Sequence, residues 1–237
     1  EDAGTQLRAA IDGFRQQGIS EVILDFRYNG GGLVSVAETV GDLLAADKVG
    51  QEFSRTIFRD SLSNNNATKL FERRPQAIAA AKIALIGTAA TASASELVGN
   101  AFIPYLGNNT ALIGSNTYGK PVGQIARDKT ECDDRLRVIA FRTVNAAGGG
   151  DYYTGLASVY PQTCAATDDV YAPLGAPSED STGVALSFLR GAVCNAIGQG
   201  GAATASLDRR VRASQVEYQT IMPTEPSAAQ YQIPGLF

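Results

Sequence analysis

Two serines and one lysine are the residues most able to do hydrolytic chemistry in a chain that contains no histidine. Ser93 and Ser95 lie in the small-residue segment TAATASASE, and Lys120 lies in GSNTYGKPVGQ. Without histidine, this chain cannot supply a Ser-His-Asp or Cys-His catalytic group or a histidine-ligated metal site. A serine nucleophile would therefore need another base, and a neutral lysine is a known alternative.

The segment around Lys120 also resembles a phosphate-binding P-loop, but one necessary residue is missing. Gly114, Gly119 and Lys120 have the P-loop spacing after a strand-like run, yet Pro121 stands where a Ser or Thr must bind Mg²⁺. The uncharged neighbours of Lys120 favour a neutral amine instead, because desolvation penalises the ammonium form. The alternative to such a desolvated base is that Lys120 is an ordinary solvated lysine in a surface loop.

The serine segment has two interpretations that the residues alone leave open. Ser93 and Glu96 have the spacing of a capping box, in which each side chain bonds the backbone N–H of the other. The same place, between a buried strand and a helix, is where a strand-to-helix turn can present a nucleophile to the N–H groups of the helix.

Three consecutive glycines, residues 30–32, follow the apolar run EVILDF. They begin the dinucleotide-binding pattern GxGxxG, but Ser35 replaces the third glycine, so this match is weak. One alternative is a tight loop that requires positive φ. Another is a set of exposed backbone N–H groups that could stabilise an oxyanion.

Strand-like and helical segments alternate, which indicates α/β architecture with a largely parallel sheet and flanking helices. The predicted strands are EVILDF (21–26), AKIALIG (81–87), TALIG (110–114) and RLRVIAFRTV (135–144). Helical patterns occur near the start of the chain, in LVSVAETVGDLLAA, in ELVGNAFIPYL and over residues 181–198. The polar segment RDSLSNNNATKLFERRPQ is expected to be a long surface excursion, and residues 199–237 an extended tail.

Composition and cysteine content limit the classes of partner. The net charge of −4 over 237 residues is not that of a nucleic-acid-binding protein, and no apolar run is long enough to span a bilayer. The cysteines Cys132, Cys164 and Cys194 are too widely spaced for a metal knuckle. They could all be buried or free thiols. Alternatively, one disulfide and one free thiol would fit an exported protein, and for that case we favour the pairing Cys164–Cys194.

Three motifs in order, VILDFRYNGGGLV, TASASE and TYGKPVGQ, resemble those of the S41 peptidases, the carboxyl-terminal processing or tail-specific serine proteases. The resemblance implies a crotonase-like (ClpP/crotonase-type) core, a Ser–Lys dyad, no metal or other cofactor, and a protein or peptide substrate. It predicts a catalytic core over residues 1–198, with the first core strands and any PDZ-like module absent from this chain. It also implies export to the bacterial periplasm or cell envelope.

The resemblance assigns catalytic roles to particular residues. Ser93 matches the nucleophile because Ala and then Ser-Glu follow it, Lys120 matches the general base, and Gln124 matches the glutamine that positions this lysine. Ser95 is the alternative nucleophile, because its spacing to Lys120 is closer to that of the family. A short insertion within AFIPYLGNNTAL would explain the longer spacing from Ser93.

The resemblance also implies an oxyanion hole made by the backbone N–H of Ala94 and that of Gly31 or Gly32. The alternative function is a catalytically inactive S41-like module that binds peptides or an apolar ligand. A module that only binds ligands does not need the serine, lysine and glutamine at the positions found in the family. We therefore expect an active serine endopeptidase.

Overall fold

Two four-stranded sheets, one parallel and one antiparallel, organise the described part of the chain, which in this computed structural model comprises residues 3–129, 131–168, 180–192 and 194. The helices are α1 (Ala3–Gln16), α2 (Val34–Leu44), α3 (Ala94–Leu106) and α4 (Asp180–Leu189). The strands are β1 (Glu21–Asp25), β2 (Glu52–Phe58), β3 (Ala67–Leu70), β4 (Lys82–Gly87), β5 (Thr110–Gly114), β6 (Val122–Lys129), β7 (Asp134–Val144) and β8 (Gln162–Ala165). The sheet orders are β1-β4-β5-β8 and β3-β2-β7-β6.

The parallel sheet is covered on both faces, as its continuous apolar strands predict. Side chains of β4 alternate between two cores: Ile83 packs with α1, α2 and α3, whereas Ala84 and Ile86 pack with Phe188 of α4. At the start of the same strand, the Lys82 ammonium donates a hydrogen bond of 2.6 Å to the Phe188 carbonyl oxygen. This contact fixes the C-terminal end of α4 against the sheet, where a cation is favourable.

The strand order of the parallel sheet brings three connecting segments to one edge. β4 pairs in parallel with both β1 and β5. The glycine loop (residues 26–33) follows β1, the serine turn (residues 88–93) follows β4, and the lysine loop (residues 115–121) follows β5. Because all three leave the carboxyl ends of adjacent parallel strands, they lie side by side.

The antiparallel sheet corrects the expectation of a largely parallel architecture. The strand predicted at residues 135–144 exists as β7, but it pairs antiparallel with β2 and β6. The sequence analysis missed β2, β3, β6 and β8, and the expected surface excursion contains β3. β3 reads ATKL and is mostly exposed, so no buried apolar run marks it. The crotonase-like topology stays a prediction.

The last helix is shorter than predicted. α4 ends at Leu189 rather than continuing through residue 198, and Gly191 follows it with a φ of 93°. A glycine in this left-handed conformation commonly ends a helix. The tail at residues 199–237 and the domain boundary at residue 198 lie outside the described residues, so both stay predictions.

A disulfide connects the edge of the parallel sheet to the chain that follows α4. It joins Cys164 of β8 to Cys194, which confirms the favoured pairing, and Cys132 is an exposed free thiol in the β6–β7 connection. The two bonded cysteines are 30 residues apart, and α4 lies between them in the chain. The bond therefore restricts a long loop of the unfolded chain.

Replacing both bonded cysteines, Cys164→Ser and Cys194→Ser, is expected to lower the free energy of unfolding by about 2–4 kcal/mol, because the loop is no longer closed. Chemical denaturation with and without a reductant measures this change. Cys132→Ser is the control and should leave the midpoint unchanged, because this thiol is exposed. Equal midpoints for the double variant and the control would show that the disulfide contributes nothing to stability.

Candidate active site

Ser93 ends the serine turn in a backbone conformation that few serines adopt. Its φ is 57° and its ψ is −115°, a combination that costs free energy for any residue with a side chain. α3 begins at the next residue, and the Glu96 carboxylate accepts the Ser93 N–H at 2.9 Å, so the predicted capping box is present. The bend leaves Ser93 half-buried at the positive end of the helix.

Ser95, the alternative nucleophile, has a different environment. It is 5% exposed, and its hydroxyl lies within hydrogen-bond distance of the Asn29 carbonyl oxygen (3.1 Å) and side-chain oxygen (3.0 Å). Its hydroxyl thus ties α3 to the glycine loop. Of the two serines, Ser93 is the one more accessible to a substrate.

The buried carboxylate of Glu96 connects the serine turn to the lysine loop. Besides the Ser93 N–H, it accepts the Thr117 hydroxyl at 2.6 Å, the Gly119 N–H at 2.7 Å and the Lys120 N–H at 2.8 Å. Glu96 is 0% exposed, and these donors compensate for removing its charge from water. The sequence identified Glu96 only as a helix cap, because its other partners lie on a separate loop.

Lys120 and Gln124 line one cleft, named here the lysine cleft, with a volume of about 480 Å³. Lys120 is half-buried, and Gln124 lies in β6. Gly30 of the glycine loop and Ala92 of the serine turn also line the cleft. The structure therefore brings the predicted base and its glutamine to a cleft whose wall includes the residue directly before Ser93. The remaining lining residues are Ala90, Tyr118, Gly119, Pro121, Val122, Ile139 and Tyr153.

The glycine loop packs directly against Ser93. A Cβ atom on Gly31 would lie 2.8 Å from the Ser93 Cβ and 2.9 Å from the Ala94 nitrogen, and the φ of Gly31 is 102°. Only glycine tolerates both the close approach and this conformation. The Asn29 side chain accepts the Gly31 N–H at 3.0 Å, and the Asn29 carbonyl oxygen accepts the Ala92 N–H at 3.1 Å. The predicted oxyanion donors thus lie beside the serine turn.

A partly buried ion pair, which the sequence analysis missed, anchors the glycine loop. The Arg27 side chain is 1% exposed, and its Nη2 lies 2.6 Å from an Asp25 carboxylate oxygen. Its Nη1 lies 3.7 Å from the Asp168 carboxylate, beyond β8. Tyr28 donates to Asp168 at 2.5 Å, and this hydrogen bond, together with burial, raises the pKa of Tyr28 to about 12. From the sequence, only the pair of Asp25 and Arg27 could have been suspected, because these residues are two positions apart, whereas Asp168 is remote in sequence.

The comparison with known families covers all three loops at this edge of the sheet. The sequence model of peptidase family S41 matches residues 1–151. The chain belongs to this family. The family predicted from the three motifs is therefore confirmed, and the matched residues include Ser93, Lys120 and Gln124.

Known relatives of this S41 chain are longer than the chain itself. The carboxy-terminal processing protease CtpA of Bacillus subtilis (strain 168) is 29% identical over 128 residues, which are 54% of this chain and 26% of CtpA. A putative S41 protease from Bacteroides fragilis NCTC 9343 has a TM-score of 0.69 at 28% identity, covering 79% of this chain and 49% of that protein. The photosystem II D1 C-terminal processing protease shares the fold, with a TM-score of 0.50 at 22% identity. The match covers 65% of this chain and 38% of that protein.

In this S41 chain, Glu96→Gln is expected to lower the free energy of unfolding by about 2 kcal/mol. The amide keeps the shape of the carboxylate but has one acceptor oxygen, so buried donors lose their partner. Urea denaturation measures the effect, with Glu131→Gln as the matched exposed control. If both variants unfold at the same urea concentration, Glu96 does not hold the two loops together.

Gly31→Ala should displace the glycine loop from Ser93, because there is no room for the new methyl group, and any hydrolysis that depends on Ser93 should fall by on the order of tenfold or more. Gly50→Ala is the matched control: its φ of 84° is equally unfavourable for alanine, but open space surrounds it. Initial rates of hydrolysis of an unstructured protein measure both. Equal losses in the two variants would mean that general destabilisation, not crowding of Ser93, is responsible.

Proposed function

We propose that this S41 chain carries the catalytic core of a serine endopeptidase that cleaves protein or peptide substrates with a Ser93–Lys120 dyad. The observation that supports it most is the Glu96 carboxylate, which bonds the backbone of both residues. One side chain thus sets the relative position of the backbone at a strained, accessible serine and at a half-buried lysine. The similarity to a carboxy-terminal processing protease supports the same conclusion.

In the proposed reaction, neutral Lys120 accepts the proton of the Ser93 hydroxyl as Oγ attacks the substrate carbonyl carbon. The carbonyl electrons move to oxygen, which becomes an oxyanion. Lys120 then donates the proton to the amide nitrogen, and the C–N bond breaks. A water molecule then attacks the carbonyl carbon of the acyl-enzyme and gives its proton to Lys120, which returns this proton to Ser93 Oγ as the C–Oγ bond breaks. Gln124, at the same cleft in β6, positions the lysine side chain.

Two backbone N–H groups would stabilise the oxyanion. Ala94 supplies the first N–H of α3, where the helix dipole also favours negative charge. Gly31 already donates to Asn29, so we favour Gly32 as the second donor. Among the hydrogen bonds of the described residues, neither the Ala94 N–H nor the Gly32 N–H has an acceptor. Each such donor is worth about 3–4 kcal/mol in serine proteases.

We also propose that the protein is exported and lies in the periplasm or cell envelope of a bacterium. The Cys164–Cys194 disulfide supports this location, because disulfides persist in oxidising compartments. In the ranges that the structure describes, no helix has both the length and the apolar character needed to cross a bilayer.

Ser93→Ala and Lys120→Met should each reduce hydrolysis of an unstructured protein by about 10⁴-fold, since each removes one half of a unit that acts together. Circular dichroism should show that both variants remain folded. Ser95→Ala is the matched control, because it removes a nearby hydroxyl that bonds Asn29, and it should keep most of the activity.

Two results would contradict the dyad. Activity that survives Ser93→Ala and is lost in a folded Ser95→Ala variant would transfer the nucleophile to Ser95. Activity that survives Lys120→Met would remove the lysine from the reaction and require another base.

A further inference from the structure

Two recesses of the surface meet at the turn that carries Ser93. One is the lysine cleft, which Ala92 lines. The other, named here the helix recess, has a volume of about 270 Å³ and lies among the glycine loop, α1, α2 and α3, with Ala94 in its wall. Because the residues on either side of Ser93 line different recesses, a bound peptide that crosses Ser93 runs from one recess into the other.

The proton transfers of the proposed mechanism determine the direction of that peptide. Lys120 must reach the Ser93 hydroxyl and then the amide nitrogen that leaves. This nitrogen belongs to the residue after the scissile bond, so that residue lies on the side of Lys120. The oxyanion points the other way, to Ala94 and the glycine loop, which border the helix recess.

The lysine cleft presents large apolar side chains to solvent. Tyr118 is 66% exposed, Ile139 is 62% exposed and Tyr153 is 56% exposed, and all three line this cleft. Among the described residues that line it there is no carboxylate, and the only basic side chain is that of Lys120, which must be a neutral amine to accept a proton in the proposed reaction. A charged side chain of either sign would therefore lose hydration there without gaining an oppositely charged partner, whereas an apolar one would remove apolar surface from water.

The backbone at Tyr153 packs against the lysine loop, so the fold fixes where this residue enters the wall of the cleft. Asn116 donates to the carbonyl oxygen of Thr154 at 2.6 Å, and a Cβ atom on Gly119 would lie 2.5 Å from the carbonyl oxygen of Tyr153. The preceding side chain, Tyr152, is 0% exposed. The aromatic ring of Tyr153 therefore extends from a backbone segment that packs directly against Gly119, the residue before Lys120.

We propose that the lysine cleft binds the residue after the scissile bond and selects a large apolar or aromatic side chain there, with Ile139 and Tyr153 as specificity-determining residues. This inference rests on the proposed peptidase function. The residue before the scissile bond then enters the helix recess, whose inner wall is formed by small and branched apolar side chains such as Val36, Ala37 and Val98.

The test is digestion of a randomised peptide library by the full-length protein, with cleavage sites identified by mass spectrometry. We expect Phe, Tyr, Leu and Met after the scissile bond to be enriched about tenfold over Asp and Glu, a ratio within the range of apolar pockets. Ile139→Ser and Tyr153→Ser should each reduce this preference several-fold and leave the preference before the bond unchanged. Val36→Phe should do the opposite, because it fills the helix recess.

Leu136→Ser is the matched control for Ile139→Ser. Both residues lie in β7 with nearly equal exposure, 63% and 62%, but their spacing places them on opposite faces of the strand. Leu136→Ser should leave both preferences unchanged, and an equal change in the two variants would overturn the assignment.

Failure of the inference and failure of the proposed function have different results. Cleavage that depends on Ser93, combined with an unchanged preference after the bond in Ile139→Ser and Tyr153→Ser, overturns the inference alone. A changed preference before the bond in these variants reverses the direction of the peptide and also overturns it. Absence of any Ser93-dependent cleavage by the unmodified protein overturns the proposed function, and the inference with it.

Discussion

The Glu96 carboxylate is the contact on which the site depends, because it joins two loops that follow different strands. A buried carboxylate is costly unless hydrogen-bond donors surround it, and here the donors come from both loops. If the Lys120 backbone moved away from the Ser93 backbone, the buried Glu96 carboxylate would lose hydrogen-bond donors that compensate for its burial. The free energy that keeps this charge satisfied also keeps the proposed nucleophile and base in position.

The parallel sheet was predictable because each of its central strands is buried on both faces and therefore reads as an unbroken apolar run. β4 and β5 are the clearest examples, with ALIG in each. The antiparallel sheet was not predictable in the same way. β6 reads VGQIARDK and is half-buried at its start and exposed at its end, so its pairing with β7 leaves no continuous apolar signal.

In the candidate site, too, contacts between residues close in sequence could be predicted and contacts between distant residues could not. The Ser93–Glu96 capping box could be predicted because its partners are only three positions apart in the sequence, and the order of the motifs identified the family. The bonds from Glu96 to Thr117 and from Tyr28 to Asp168 could not be predicted, because only the folded chain brings these segments together. Of the hydrogen bonds to Glu96 that fix the site, only the one within the capping box could therefore be predicted from the sequence.

The parallel and antiparallel sheets each support one member of the proposed dyad. Ser93 follows β4 of the parallel sheet, whereas Lys120 stands just before β6, an edge strand of the antiparallel sheet. Lys120 therefore lies in a segment that connects the two sheets, because the lysine loop follows β5 of the parallel sheet and leads into β6. A tilt of the β6–β7 hairpin would therefore displace the end of the lysine loop that carries Lys120, whereas Ser93 is attached to β4 and need not move with it.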